Sequence, residues 1–358
     1  MSRLTIAIPT FRRPEDLKRA VGGVLEQASE LAAGPTAEVS GPRTDVEAGT
    51  EGDAAGATDA KGGAGRGVCD IEVLVIDNDV QGSGREAALA AAADAGVPVR
   101  SPKDDSEGPG AVGLRYVVEE RPGVAAVRNR ALDETAERDL LVFIDDDEEP
   151  EPGWLAALVG LWASTGCQAV AGPVIPVYEV EPEAWVCRGE FFVRRTWPTG
   201  TVRPVAASNC LLLDLGFVRR AGLRFDEAFG ATGGEDTLFT RRLSAAGGVI
   251  RWCDEARVRD HVPASRLTRP WILRRQRSHA ATSVRVELAL AGGGAQPAIR
   301  ARAAAGGLVR IVVGGLRTAG GTLIGSPKHA AKGARLLARG RGILAASVGG
   351  GVHREYDH

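Results

Sequence analysis

The chain has 358 residues, 44% of them hydrophobic and 25% charged, which is ordinary soluble composition and enough for one large α/β domain or two modest ones. Its formal net charge of -2 hides an asymmetry: from Arg266 to Arg341 there are 15 Arg or Lys against one acid, Glu287, so an acidic body carries a basic tail. Five scattered cysteines with no C-x-x-C pair argue against a disulfide framework or zinc site and for a reducing compartment. No 18-residue apolar run occurs, so no spanning helix is expected.

The amino-terminal segment lacks the features of a signal peptide, which predicts a cytoplasmic protein. Strand one is expected over Leu4–Ile8, ended by Pro9, and Pro14 at a first helical turn opens a helix with Leu17, Ala20, Val21, Val24 and Leu25 at helical spacing. Residues 34–67, almost entirely Gly, Ala, Thr, Pro, Asp and Glu, predict a disordered insertion. Ile71–Ile76 predicts a strand buried on both faces, followed by a helix over Arg85–Ala95, a loop over Ser101–Gly113 and a short strand over Tyr116–Val118. Next come a helix over Val124–Glu137, a buried strand over Leu140–Ile144 and a helix over Pro152–Ser164. Strands over Ala169–Val177 and Ala207–Leu213, a helix over Asp236–Ala246 and a strand over Val249–Cys253 complete the alternation. This is the pattern of a mostly parallel sheet flanked by helices. From Pro270 onward the pattern is helical and basic.

Asp145, Asp146, Asp147, Glu148 and Glu149 directly follow the strand over Leu140–Ile144, where an open parallel sheet binds ligands beyond its carboxyl ends. Five adjacent carboxylates need solvent or a cation. An exposed acidic turn has the same composition; alternatively, Asp145 and Asp147, on one side of an extended segment, face a hydrated divalent ion, Mg²⁺ or Mn²⁺ rather than zinc. A second acidic locus follows paired glycines at Gly233 and Gly234, where Asp236 is either a helix cap or a general base.

Taken in order, Ile8-Pro9-Thr10-Phe11-Arg12, Val75-Ile76-Asp77-Asn78, Val127-Arg128-Asn129, Phe143-Ile144-Asp145-Asp146-Asp147 and Gly234-Glu235-Asp236 resemble the family 2 inverting glycosyltransferases with the GT-A fold. The resemblance covers roughly Leu4 to His261 and implies a catalytic domain over residues 1–265, with a basic helical extension over 266–358. It further implies a nucleotide-sugar donor (UDP-, GDP- or dTDP-linked), with Pro9, Thr10 and Arg12 along the nucleotide and Asp77 or Asn78 at the base edge. Arg128 would meet the diphosphate or base, Asp145 with Asp146 beside it the ribose or sugar side, and Asp147 the metal. Asp236 matches the family's catalytic base, and His261 lies where some metal-dependent relatives supply a further ligand. Asn209, Trp185 and Trp197 are candidates for lining the sugar or acceptor.

In the tail, Trp271, Ile272 and Leu273 among Arg274, Arg275 and Arg277, and Arg310 and Arg317 among aliphatic residues, predict cationic amphipathic helices. Such helices suit an anionic membrane surface, and with it a lipid-linked or glycan acceptor; a solvated face or a homo-oligomer seam has the same pattern. No aromatic-basic motif points to nucleic acid. Two rivals stand beside the transferase: a nucleotidyltransferase, although Thr10-Phe11-Arg12-Arg13 lacks that class's glycines, and a catalytically inactive nucleotide-sugar binding module.

Overall fold

The computed structural model describes residues 2–34, 68–101 and 110–350; most of the expected insertion lies outside them. A run of apolar residues takes β1 (Ser2–Thr10) through the middle of the molecule. It pairs in parallel with β2 (Val68–Asp77) on one side and β4 (Leu140–Ile144) on the other, while β3 (Ala111–Val118) adds outside β2. β9 (Cys210–Asp214) runs antiparallel between β4 and β6 (Ala169–Ala171), and β10 (Ile250–Trp252) and β8 (Val202–Arg203) complete the sheet. The strand order is β3-β2-β1-β4-β9-β6-β10-β8.

Period-two alternation gives the sheet two apolar faces. Leu4, Ile6, Ile8, Val73 and Val75 pack beneath α1 (Pro14–Ala33), α2 (Arg85–Asp94) and α4 (Trp154–Thr165). Ala7, Leu74, Ile76, Leu141 and Phe143 pack beneath α3 (Val124–Glu134), α6 (Leu215–Arg220) and α7 (Glu235–Ala245). The architecture is thus the expected one in its layers: a mixed, mostly parallel sheet flanked by helices, with helices following it at the carboxyl-terminal end.

Two expectations need correction. The strand over Ala169–Val177 is two strands in different sheets: β6 ends at Ala171, and β7 (Val174–Tyr178) pairs with β11 (Val258–Val262), which also pairs with β5 (Glu148–Pro150). Gly172 and Pro173 make the break. A Cβ at Gly172 would collide with the carbonyl of Ala256, so the chain bends where only glycine fits. Likewise, β3 already begins at Ala111, inside the loop expected over Ser101–Gly113.

Beyond α5 (Ala184–Gly189), three long helices close the described chain: α8 (Arg269–Leu290), α9 (Gln296–Leu323) and α10 (Pro327–Ser347). α8 packs on α7 and α10, and α10 also rests on α5. The α9–α10 pair approaches through glycine: Gly307, Gly314 and Gly321 recur every seven residues on the buried side of α9 and face the backbone of α10. A Cβ at Gly314 would meet the backbone nitrogen of Leu337, so Gly314→Leu is expected to force the helices apart, costing about 1–3 kcal/mol, which a drop in Tm measures. No described helix is long and apolar enough to cross a membrane.

Candidate functional site

A cleft of about 530 Å³ opens at the carboxyl ends of β1, β2 and β4. The structure brings Pro9, Thr10, Arg12, Asn78, Arg128, Asp145, Asp146 and Asp147 together in its lining, with Asn209. A larger hollow of about 960 Å³ flanks α3, but its ions pair with one another: Arg115 with Glu72 and Glu134, and Arg138 with Glu72.

The acidic run is not one solvated ribbon. It turns at Asp145–Asp147 and enters β5 at Glu148, so its carboxylates point to different partners instead of alternating along an extended segment. Asp146 is buried, accepting from the Thr10 hydroxyl at 2.8 Å and pairing with Arg13 at 3.3 Å. Burial, together with Asp147 and Asp145, pushes its carboxyl up to about 7. Asp146 therefore braces the β1 end where the resemblance would put it against a ligand. Asp147 Oδ2 is held by Arg13 at 2.9 Å and Arg266 at 3.1 Å. Asp145 lies 3.6 Å from Arg128, and burial, with the charges of Asp147 and Asp260, raises its carboxyl in spite of that arginine. Glu148 is buried and accepts from Asn209 at 2.6 Å and from the Asp145 amide at 3.2 Å.

Arg12 adopts φ +54°, a conformation sparsely populated by non-glycine residues. Its guanidinium is held 3.4 Å from Asp79 and over the Phe11 ring. The base-edge roles expected for Asp77 and Asn78 do not fit their geometry. Asp77 is wholly buried outside the cleft lining, accepting from the amides of Asp79 and Gly84 and from the Tyr116 hydroxyl. Asn78 lines the cleft, but its carboxamide donates to the carbonyls of Glu119 and Arg121 and accepts from the Gly123 amide. Both residues position loops. Asn78 fixes the entry to α3 and, one turn on, Arg128.

Asp236 is not among the lining residues. It opens α7 after Gly233 and Gly234, at φ +74° and +95°, and accepts from the Thr237 amide at 2.5 Å. Its neighbour Glu235 makes the connection: buried, it pairs with Arg128, which in turn reaches Asp145. Burial, with the charge of Asp236, raises Glu235 to about 7 against the pull of Arg128.

His261 adjoins Asp147 through its backbone, and its ring is engaged with Glu149. Its backbone amide donates to the Asp147 carbonyl at 3.3 Å, while its ring nitrogen lies 3.1 Å from Glu149. β11 thus holds the acidic turn through its backbone. Among the described residues, no three His, Cys, Asp or Glu side chains are grouped to hold a metal ion by themselves. Asp145 and Asp147 nevertheless fit a cation that arrives with a diphosphate, because Mg²⁺ takes one or two carboxylates and completes its shell with phosphate oxygens and water. The Asp145 carboxyl is raised by burial first and by the charges of Asp147 and Asp260 after it, and a cation there would offset those two charges.

Sequence reasoning missed one whole wall. Arg194, Asp260, Arg266, Trp271, Arg274 and Arg275 line the cleft, so the first basic helix of the tail, α8, borders the site. Arg194 pairs with Asp260 at 2.7 Å, and Arg275 lies over the Trp271 ring. The basic run of the tail was visible; its fold-back onto the acidic turn was not. Trp185 and Trp197, the expected sugar wall, are used in packing: Trp185 stacks on Phe191 and Trp197 meets Trp252 edge-on.

Residues 67–212 match the family described as Glycosyl transferase family 2, a span from β2 to β9 that includes Asp145–Asp147 but neither the end of β1 nor Asp236. The Succinoglycan biosynthesis protein ExoM of Rhizobium meliloti (strain 1021) is 32% identical over 212 residues, 58% of this chain and 62% of that protein. The alignment thus spans less than two thirds of that relative. Among solved structures, S. aureus TarS 1-349 superposes with a TM-score of 0.48 at 11% identity, covering 94% of this chain and 90% of that one. GalNAc-T7 with UDP, GalNAc and Mn²⁺ gives 0.47 at 14% identity, covering 79% and 51%.

Proposed function

From the match of residues 67–212 to the glycosyl transferase family 2 model, we propose that the chain is a glycosyltransferase that moves a sugar from a nucleoside-diphosphate donor to an acceptor hydroxyl in one inverting displacement. The observation that supports this most is the convergence of Thr10, Arg12, Arg128, Asp145 and Asp147 on one cleft at the carboxyl ends of the central strands. Thr10 and Arg12 line the nucleotide end. Arg13, Arg128 and Arg266 stand where negative charge develops on a departing diphosphate. Asp145 and Asp147 would hold a divalent cation, which supplies charge neutralisation on the leaving phosphates. Asp236 takes the proton from the acceptor hydroxyl as that oxygen attacks the anomeric carbon, and Glu235, through Arg128, keeps the start of α7 against the cleft.

The test begins with a thermal-shift screen of UDP-, GDP- and dTDP-sugars with Mg²⁺ or Mn²⁺, because a ligand bound only by the folded form raises Tm. One donor class is expected to stabilise the protein, with the shift lost on chelation and in Asp147→Ala. A donor shift unaffected by both would remove the metal from the reading, and turnover of no nucleotide-sugar would leave the inactive binding module.

A further inference from the structure

α9 inverts the usual distribution of a surface helix. Three of its glycines, Gly307, Gly314 and Gly321, face inward, while Leu308, Val309, Val312, Val313, Leu316 and Leu323 are 48% to 87% exposed. At 100° per residue, Val309, Val312, Leu316 and Leu323 fall opposite Gly307, Gly314 and Gly321, so the large aliphatic groups form one outward stripe. Arg310 and Arg317, seven residues apart, lie on one side between that stripe and the glycine seam, with the Arg310 Cβ beside Gly340 of α10. A contiguous apolar face of this kind requires an apolar partner.

Charge selects among partners. From Leu288 to Gly350 there are nine Lys or Arg and no Asp or Glu. A second copy seated on this face would bring two basic rims together, which like-charge repulsion opposes. An anionic bilayer meets both demands, taking the stripe at the acyl boundary while Arg310 and Arg317 reach its headgroups. The helix is too polar to span. We propose that the outward face of α9 docks in the plane of an anionic phospholipid bilayer, independently of which reaction the cleft performs. Because α9 packs on α10 and α10 on α8, docking holds the cleft wall of Trp271, Arg274 and Arg275 at a fixed attitude to the bilayer.

Flotation with vesicles of phosphatidylcholine and phosphatidylglycerol, beside vesicles of phosphatidylcholine alone, tests this on the full chain. The protein is expected to float with the anionic vesicles and to be released by high salt. Val312→Glu/Leu316→Glu is expected to lower partitioning by roughly tenfold or more, and Arg310→Gln/Arg317→Gln to lower it and weaken its salt dependence. An unchanged Tm shows that the variants fold. Absence of the wild-type protein from anionic vesicles at low salt overturns the proposal. So does a lipid-free dimer, seen by sedimentation, that dissociates in Val312→Glu/Leu316→Glu, since a second copy would then own the face.

Discussion

Asp236→Asn is expected to lower kcat by about 100- to 10,000-fold, the range in which a positioned proton acceptor acts, while donor affinity stays close to wild type. An acceptor hydroxyl is a poor nucleophile until its proton has somewhere to go, and Asn has nearly the same shape as Asp with no capacity to take that proton. The Asp236 carboxylate lies in the first turn of α7, held by the Thr237 amide, where the positive end of a helix favours negative charge. Asn keeps an oxygen for that amide, so the fold should survive. Single-turnover transfer and calorimetric donor titration, run on the same preparation, separate the two effects. Undiminished turnover would remove Asp236 from the role.

The second large effect is expected at Arg128, whose side chain is 6% exposed, lies 3.6 Å from Asp145 and pairs with Glu235. Arg128→Met leaves Glu235 buried without its cation, a defect worth about 3–5 kcal/mol when the carboxylate is charged. The loss should depend on pH. Glu235 is raised above its ordinary value in the folded protein, so between those two values the native state holds more protons than the unfolded chain, and stability falls as pH rises from 5 to 8. In wild type this one group contributes up to about 3 kcal/mol of such decline. Without Arg128 the carboxyl rises further, so Arg128→Met should be close to wild type at pH 5 and poorest at pH 8. Arg128→Met/Glu235→Gln removes the charge along with its partner and should flatten the profile. Tm against pH for the three proteins checks this; parallel curves would refute it. Donor affinity should stay low in both variants, because only the guanidinium offers a fork to phosphate oxygens.

The sheet was legible wherever burial on both faces leaves an unbroken apolar run, as in Leu140–Ile144, which is β4 to the residue. It was illegible where a chain of similar hydropathy changes sheet: Gly172-Pro173 was the visible signal, but the close approach of Ala256 that demands it comes from far along the chain. The acidic turn was legible as a site because carboxylates crowded at the end of a buried strand repel one another until a cation or fixed donors hold them. The individual roles of its members were not. Asp77 and Asp146 look alike in sequence to Asp145 and Asp147, and only their partners, Gly84 and Tyr116 for one and the Thr10 hydroxyl for the other, make them braces. Arg194 and Arg266 lie in segments with no long periodic element, so nothing local marks them as cleft residues.

The small sheet has a consequence for how the molecule is made. Pro150 pairs with Val258, and the acidic turn is tied to the backbone of His261, so the cleft's floor is stitched by chain synthesised on the order of a hundred residues later. At about 5–20 residues per second, a ribosome exposes the nascent turn for roughly 5–20 s before its fastening strand emerges. Through that interval the central strands can already have condensed, and the protein is a folded scaffold still waiting for the floor of its cleft.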